Sequence, residues 1–185
     1  MNTFEIFSID SAPAQSRPVL EALKQSFGFV PNIAGAMSGS PTLINGFIGL
    51  FQRVHAGTFN EAEIQTVLLT DAVTNRSTWA TAFHTALALK HDVDPSDVTA
   101  IREGRLPKQP RLAALSGLAK NLIEKRGHAE SRILETFYAA GFQTEHVLEA
   151  IAIVAASAIT NYVGNLAQPP LEDAFKSHQW AAPAL

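Results

Sequence analysis

Ser77, Ala80 and His84 recur at the spacing that sets side chains along one face of an α-helix, a stripe that Leu87 and Ala88 continue. Such a stripe does chemistry when it carries a nucleophile and a group that moves protons. This one offers a hydroxyl, a methyl and an imidazole, so His84 is the candidate general acid or base. Ser77 lies two helical turns away, about 10 Å along the axis. That is too far to pass its proton to His84 directly, which makes it an accessory hydroxyl rather than an independent nucleophile. Trp79 and Phe83, with Ala80, are candidate walls of a small-molecule pocket, although the ordinary role of such residues is core packing.

Other chemistries lack their residues. The chain has no cysteine, which removes thiolate nucleophiles and disulfide exchange. It has no nucleophile elbow, no phosphate-cradling glycine loop and no dinucleotide fingerprint. His84 and His91 share a helix face but are too far apart along it to hold one ion, and there is no His-Glu-x-x-His pair. His55, His128, His146 and His178 fall near predicted helix ends or in the tail. The sequence therefore calls for no metal and no cofactor.

The 185 residues are 46% apolar, enough to bury a core without disulfides or a structural metal. A net charge of −3 gives no attraction for nucleic acid or an anionic membrane surface. Arg102, Arg105, Lys108 and Arg111 form the one basic cluster, and the surrounding Gly104-Arg105-Leu106-Pro107-Lys108-Gln109-Pro110 reads as a solvated loop. The longest unbroken apolar run, from Ala150 to Ala156, falls short of the roughly 20 residues that span a bilayer. The stretch Met1–Ser8 has no basic flank followed by an apolar run, so it does not read as a signal peptide, and a cytoplasmic location is expected.

The elements that must position His84 read as helix after helix, with almost no strand signal. Pro18 opens a helix that Gly28 stops, and Gly28-Phe29-Val30-Pro31-Asn32 turns into a short helix toward Met37. Ser40-Pro41 opens the next, with Leu43, Phe47, Leu50, Phe51 and Val54 on one side. Asn60 with Glu63 is a capping-type start, followed by a packing stripe of Ile64, Val67, Leu68 and Val73. The His84 helix ends near His91-Asp92, Asp94-Pro95 begins a short helix that Gly104 stops, and Pro110 opens one that Gly127 closes. A further helix runs from His128 to Gly141. Thr144–Leu166 is apolar around more than one face and reads as the central core helix, available also for oligomerisation. A weak internal repeat lays Phe59–Ile64 over Phe142–Val147 and, at the same offset, Trp79 over Tyr162.

The segment Asn75–Leu89, with Val93-Asp94-Pro95 after it, resembles the central helix of the alkylhydroperoxidase D-like, or carboxymuconolactone decarboxylase, family. Gly28-Phe29-Val30-Pro31-Asn32, Ser40-Pro41 and Asn161-Tyr162-Val163-Gly164-Asn165 are similar to its longer, peroxidase-related branch. The resemblance implies one all-α domain over 1–185, a bundle of about eight to ten helices with a pseudo-repeated hairpin and a family core near 59–126. It also implies assembly as a homo-oligomer, whether dimer, trimer or hexamer. The family pattern Cys-x-x-Cys-x-x-x-His would put thiols at Ser77 and Ala80, and an acidic proton-relay residue at Gln65. Only His84 keeps its type; Gln65 can orient an imidazole but cannot exchange a proton with it, unless Glu61 or Glu63 takes the relay place.

Three functions follow from the resemblance. The thiol peroxidase has lost its reacting atoms. A cysteine-independent enzyme, like the lactone decarboxylase branch, would use His84 as general acid or base on a small organic anion. A non-catalytic oligomeric binder or scaffold would keep Ser77 and Ala80 only as filling.

Overall fold

The structure is a computed structural model that describes residues 4–183. Met1–Thr3, part of the stretch read above for a leader, lie outside the described residues. Those described fold into nine α-helices without a strand: α1 (Arg17–Phe27), α2 (Asn32–Met37), α3 (Pro41–Val54), α4 (Glu61–Thr74), α5 (Thr78–Lys90), α6 (Pro95–Arg102), α7 (Pro110–Glu124), α8 (Ser131–Ala139) and α9 (Thr144–Ala167). Short 3-10 turns at Ala14–Ser16 and Asp173–His178 stand at the two ends.

The punctuation works as its chemistry dictates. Gly28 takes the left-handed conformation, φ 81°, that ends α1, and its N–H donates to the Lys24 carbonyl. At the start of α4 the Asn60 side chain accepts from the Glu63 N–H at 3.0 Å, while Glu63 Oε2 accepts from the Asn60 N–H at 3.0 Å. This reciprocal cap contributes about 1 kcal/mol to fixing where α4 begins.

The middle of the bundle belongs to α4. Every residue from Glu63 to Ala72 is buried, because α5, α6, α7 and α9 enclose the helix. A single stripe was expected there, and the central position was expected of α9. Instead α9 covers one side of α4 and turns Leu148, Ile151, Tyr162 and Leu166 outward. By length and composition α9, 24 residues long, is apolar enough to cross a membrane, which the shorter uninterrupted run in the sequence did not suggest. Its Ser157, Thr160 and Asn161 are nevertheless buried against other helices, as in a core helix.

Phe59 and Phe142, the first residues of the internal repeat, meet edge to face at 5.8 Å just ahead of α4 and α9. Beyond them the two copies diverge, since α4 turns at Asn75–Ser77 into α5 whereas α9 runs on unbroken.

The buried side chains form two clusters. One joins α4, α6, α7, α8 and the first half of α9; the other joins α1, α2, α3 and α5 with Phe175 of the tail, and it is here that His84 sits. Arg105 pairs locally with Glu103, and two of the four cations read as a solvated loop are tied to other elements. Arg111 pairs with Glu63 at 2.5 Å and lies 3.8 Å over the Phe142 ring. Arg102 donates to Thr85 Oγ1 and to the carbonyls of His178 and Gln179, strapping the tail to α5 and α6.

Candidate functional site

His84 sits near the middle of α5, 4% exposed, and its neighbour across the interface is Gln65 of α4. The two are 3.0 Å apart from His84 Nδ1 to Gln65 Oε1. With a carbonyl oxygen facing it, Nδ1 carries the ring proton and donates, which leaves Nε2 with a lone pair. Burial disfavours the imidazolium, and the charge of His55 adds to this, so the His84 pKa falls to about 3. The ring is neutral throughout the physiological range.

Neither nearby glutamate takes the relay place. Glu63 is committed to Arg111 and to the Asn60 cap, and Glu61 pairs with His55 Nδ1 at 2.7 Å. Gln65 is thus the residue that orients His84, and it can hold the ring but not exchange a proton with it.

His84 reaches an apolar pocket of about 70 Å³. Leu23 and Phe27 of α1 form one wall, Ile33 and Met37 of α2 another, and Phe47, Ile48 and Phe51 of α3 a third. Trp79 and Phe83 line it beside His84, and Thr160 of α9 supplies its one hydroxyl. No charged side chain is among the lining residues. Leu23, Phe27, Ile48 and Phe51 also border a groove of about 360 Å³ between α1 and α3 that extends to Gln52 and His55. The pocket therefore has an apolar approach from the surface, with an ionisable imidazole at its outer end.

The indole and phenyl rings of Trp79 and Phe83 stack at 5.0 Å with 18° between planes. Trp79 Nε1 donates to Glu172 Oε2 at 3.0 Å, and the other oxygen of Glu172 accepts from the Asn32 N–H at the start of α2. Phe175 packs edge-on against Phe83 at 5.1 Å. The C-terminal segment thus braces the aromatic wall from behind. Glu172, Phe175 and the α1 to α3 residues were not singled out from the sequence; their apolar spacing was visible, but which of them would face His84 depends on tertiary packing.

Ser77 and Ala80 do not line this pocket. Ser77 is the residue before the first turn of α5 and its hydroxyl faces Gly164 of α9, where a β-carbon would stand 3.1 Å from Oγ. It is fully buried. Ala80 is buried in the core. The stripe read from helical spacing therefore divides: His84 reaches the pocket, where Trp79 and Phe83 join it and Gln65 stands behind, while Ser77 and Ala80 are buried away from it.

No family model matches the sequence, and no curated protein matches it. Solved structures do match its fold. An uncharacterised peroxidase-related protein from Ralstonia eutropha JMP134, described as an alkylhydroperoxidase AhpD core, superposes with a TM-score of 0.82 at 17% identity, covering 93% of both chains. The debrominase Bmp8 gives 0.80 at 19% identity over 96% of each chain. A cysteine-to-alanine variant of Bmp8 in complex with 2,3,4-tribromopyrrole gives 0.75 at 19% identity, over 96% of this chain and 95% of that one. The chain has the all-helical alkylhydroperoxidase D-like fold.

Proposed function

We propose that the pocket beside His84 binds a small, uncharged, largely apolar organic molecule bearing an N–H or O–H group, and that His84 acts on it without cysteine. The observation that carries this reading is a neutral imidazole, braced on Nδ1 by Gln65, as the one ionisable group lining an otherwise apolar pocket. An apolar enclosure rewards burial of apolar ligand surface and penalises an unpaired charge. That argues against the organic anion expected from the sequence, since no cation among the lining residues would meet it. Binding of 2,3,4-tribromopyrrole by the similar fold of the debrominase variant supports a small neutral ring as the ligand class. At about 70 Å³ the inner pocket takes only part of such a molecule, and the α1–α3 groove takes the rest.

The lone pair on Nε2 accepts the ligand's N–H or O–H. Full proton abstraction demands a ligand acidic enough for a weakly basic imidazole, because a general base works best with a pKa near the working pH. Peroxide reduction by a thiol relay is not proposed, because the chain contains no sulfur nucleophile.

A second reading, a non-catalytic homo-oligomeric binder, is favoured by the outward apolar residues of α9, Leu148, Ile151, Tyr162 and Leu166. Placed at helical spacing, they make a strip that a second copy would cover in a dimer, trimer or hexamer. A cytoplasmic location is part of the same proposal.

The deciding experiment is a thermal-shift screen that pairs neutral pyrroles, indoles and phenols with carboxylated analogues of the same size, followed by turnover assays on the hits. Stabilisation by the neutral members, lost in His84→Leu, supports the site. Preference for the carboxylates would refute it, and binding without turnover selects the binder.

A further inference from the structure

Five oxygen atoms buried where α4, α5 and α9 meet have no hydrogen-bond partner: both carboxyl oxygens of Asp71, the hydroxyls of Ser77 and Thr81, and the amide oxygen of Asn161. All four residues are 0% exposed. Leaving one such atom unpaired forfeits its hydration with nothing in return, and native interiors hold only a few of them per hundred residues. Several together at one helix junction point to a missing partner.

The four residues converge from three helices. Asp71 belongs to the last part of α4, and Ser77 and Thr81 stand one turn apart at the start of α5. On α9, Asn161 Nδ2 donates to Ser157 Oγ at 3.1 Å, one turn back. Gly164, one turn on from Asn161, is where Ser77 Oγ abuts α9. Ser157 also lies close enough to Asp71 to favour its ionised form slightly, although not aligned for a directed hydrogen bond.

Their hydrogen-bonding capacities complement one another but do not meet. Ser77 and Thr81 each have a hydroxyl hydrogen to give, while Asn161 Oδ1 and a carbonyl oxygen of Asp71 can only receive. A single water reconciles them, accepting from the two hydroxyls and donating to the two oxygens, which completes its four bonds. We propose that the α4–α5–α9 junction is an enclosed binding site for one water molecule, held by Asp71, Ser77, Thr81 and Asn161. Burial raises the Asp71 pKa well above the usual carboxylate value, and no charged neighbour opposes this. The same burial that leaves its oxygens unpaired thus favours the uncharged carboxyl. Ser77 then serves as a ligand of internal water, turned away from the His84 pocket.

The test is a high-resolution crystal structure of the full chain, grown once with sodium and once without. One density peak about 2.8 Å from the oxygens of Ser77, Thr81 and Asn161 in both crystals is expected. Direct bonds among the four side chains with no peak would overturn the proposal. So would a peak at about 2.4 Å that occurs only with sodium, since that marks a cation in the oxygen shell. In solution, Ser77→Ala and Thr81→Val each lower Tm by several degrees, and the double variant loses less than the sum because both act through one shared water. Strict additivity would count against a shared ligand. Asp71→Asn, which keeps an acceptor oxygen, retains the peak in its own crystal structure; its loss there would overturn the place given to the Asp71 carbonyl oxygen in the water's shell.

Discussion

His84 Nδ1 and Gln65 Oε1 stand 3.0 Å apart across the α4–α5 interface, and this bond is a neutral brace that cannot pass a proton. The amide fixes the orientation of the imidazole and leaves its protonation to burial, which lowers the pKa to about 3. A carboxylate at the same place would favour the imidazolium. Gln65→Glu is expected to raise the His84 pKa by roughly 1–3. Titration of the His84 ring resonances by NMR measures this directly; an unmoved pKa would mean that the side chain at 65 does not face the ring as placed.

The depressed His84 pKa also sets a pH dependence of stability. Unfolded, His84 takes a proton below its ordinary value of 6.5; folded, it does not until about pH 3. Between those values the unfolded state binds the extra proton, so the His84 contribution is fully present above 6.5 and is lost as pH falls toward 3. From pH 7 to 5 it amounts to about 2 kcal/mol, since about 1.5 pH units of that interval lie below 6.5, each worth about 1.4 kcal/mol. Urea midpoints of wild type and His84→Gln at both pH values measure it, and the difference between the two proteins cancels Asp71, whose raised pKa acts in the opposite direction. Equal pH slopes would show that His84 titrates alike in the folded and unfolded states, and its burial would then not depress its pKa.

How far this site was legible in the sequence differs between its halves. The helical order was readable because each boundary has local chemistry: Gly28 in a left-handed cap, the Asn60–Glu63 box, and Pro41, Pro95 and Pro110 in opening turns. His84 and Gln65 could be paired in advance because the resemblance singles out those two positions, although Gln65 departs from the acidic residue it implies. Helical spacing alone misplaced Ser77, since a residue at the edge of a helix directs its side chain by its own φ and ψ rather than by the helical repeat. The central role of α4 was hidden for a different reason. Its buried face includes Gln65, Thr66, Thr70 and Asp71, so composition made α4 look less like a core helix than the more apolar α9. Glu172 was beyond reach because its partners, Trp79 and Asn32, are 93 and 140 residues away.

That long-range clamp makes its own prediction. Glu172→Ala removes the acceptor of the Trp79 indole and a partner of the first α2 N–H, leaving two part-buried donors unpaired. A loss of roughly 1–3 kcal/mol in unfolding free energy is expected. In a Trp180→Phe background, Trp79 is the only remaining tryptophan, and its emission should shift to longer wavelength as water reaches the indole. Unchanged emission and stability would show that the tail does not brace the aromatic wall.

Access to the pocket is the remaining element, and it rests on α3. Ile48 borders both the inner pocket and the outer groove, whereas its neighbour Phe51 is held between Phe47 at 5.3 Å and His55 at 4.6 Å. Ile48 is the less constrained of the two and only half-buried, so enlarging it narrows the passage without disturbing that aromatic row. Ile48→Trp is expected to cut the association rate of a neutral pocket ligand tenfold or more, which corresponds to about 1.4 kcal/mol or more on the entry barrier. Its Tm should stay close to that of wild type, since changes away from fully packed positions cost little. Stopped-flow binding with a hit from the thermal-shift screen gives the rate. An unchanged rate, with the fold intact, would mean that ligands reach His84 by a route other than the cleft between α1 and α3.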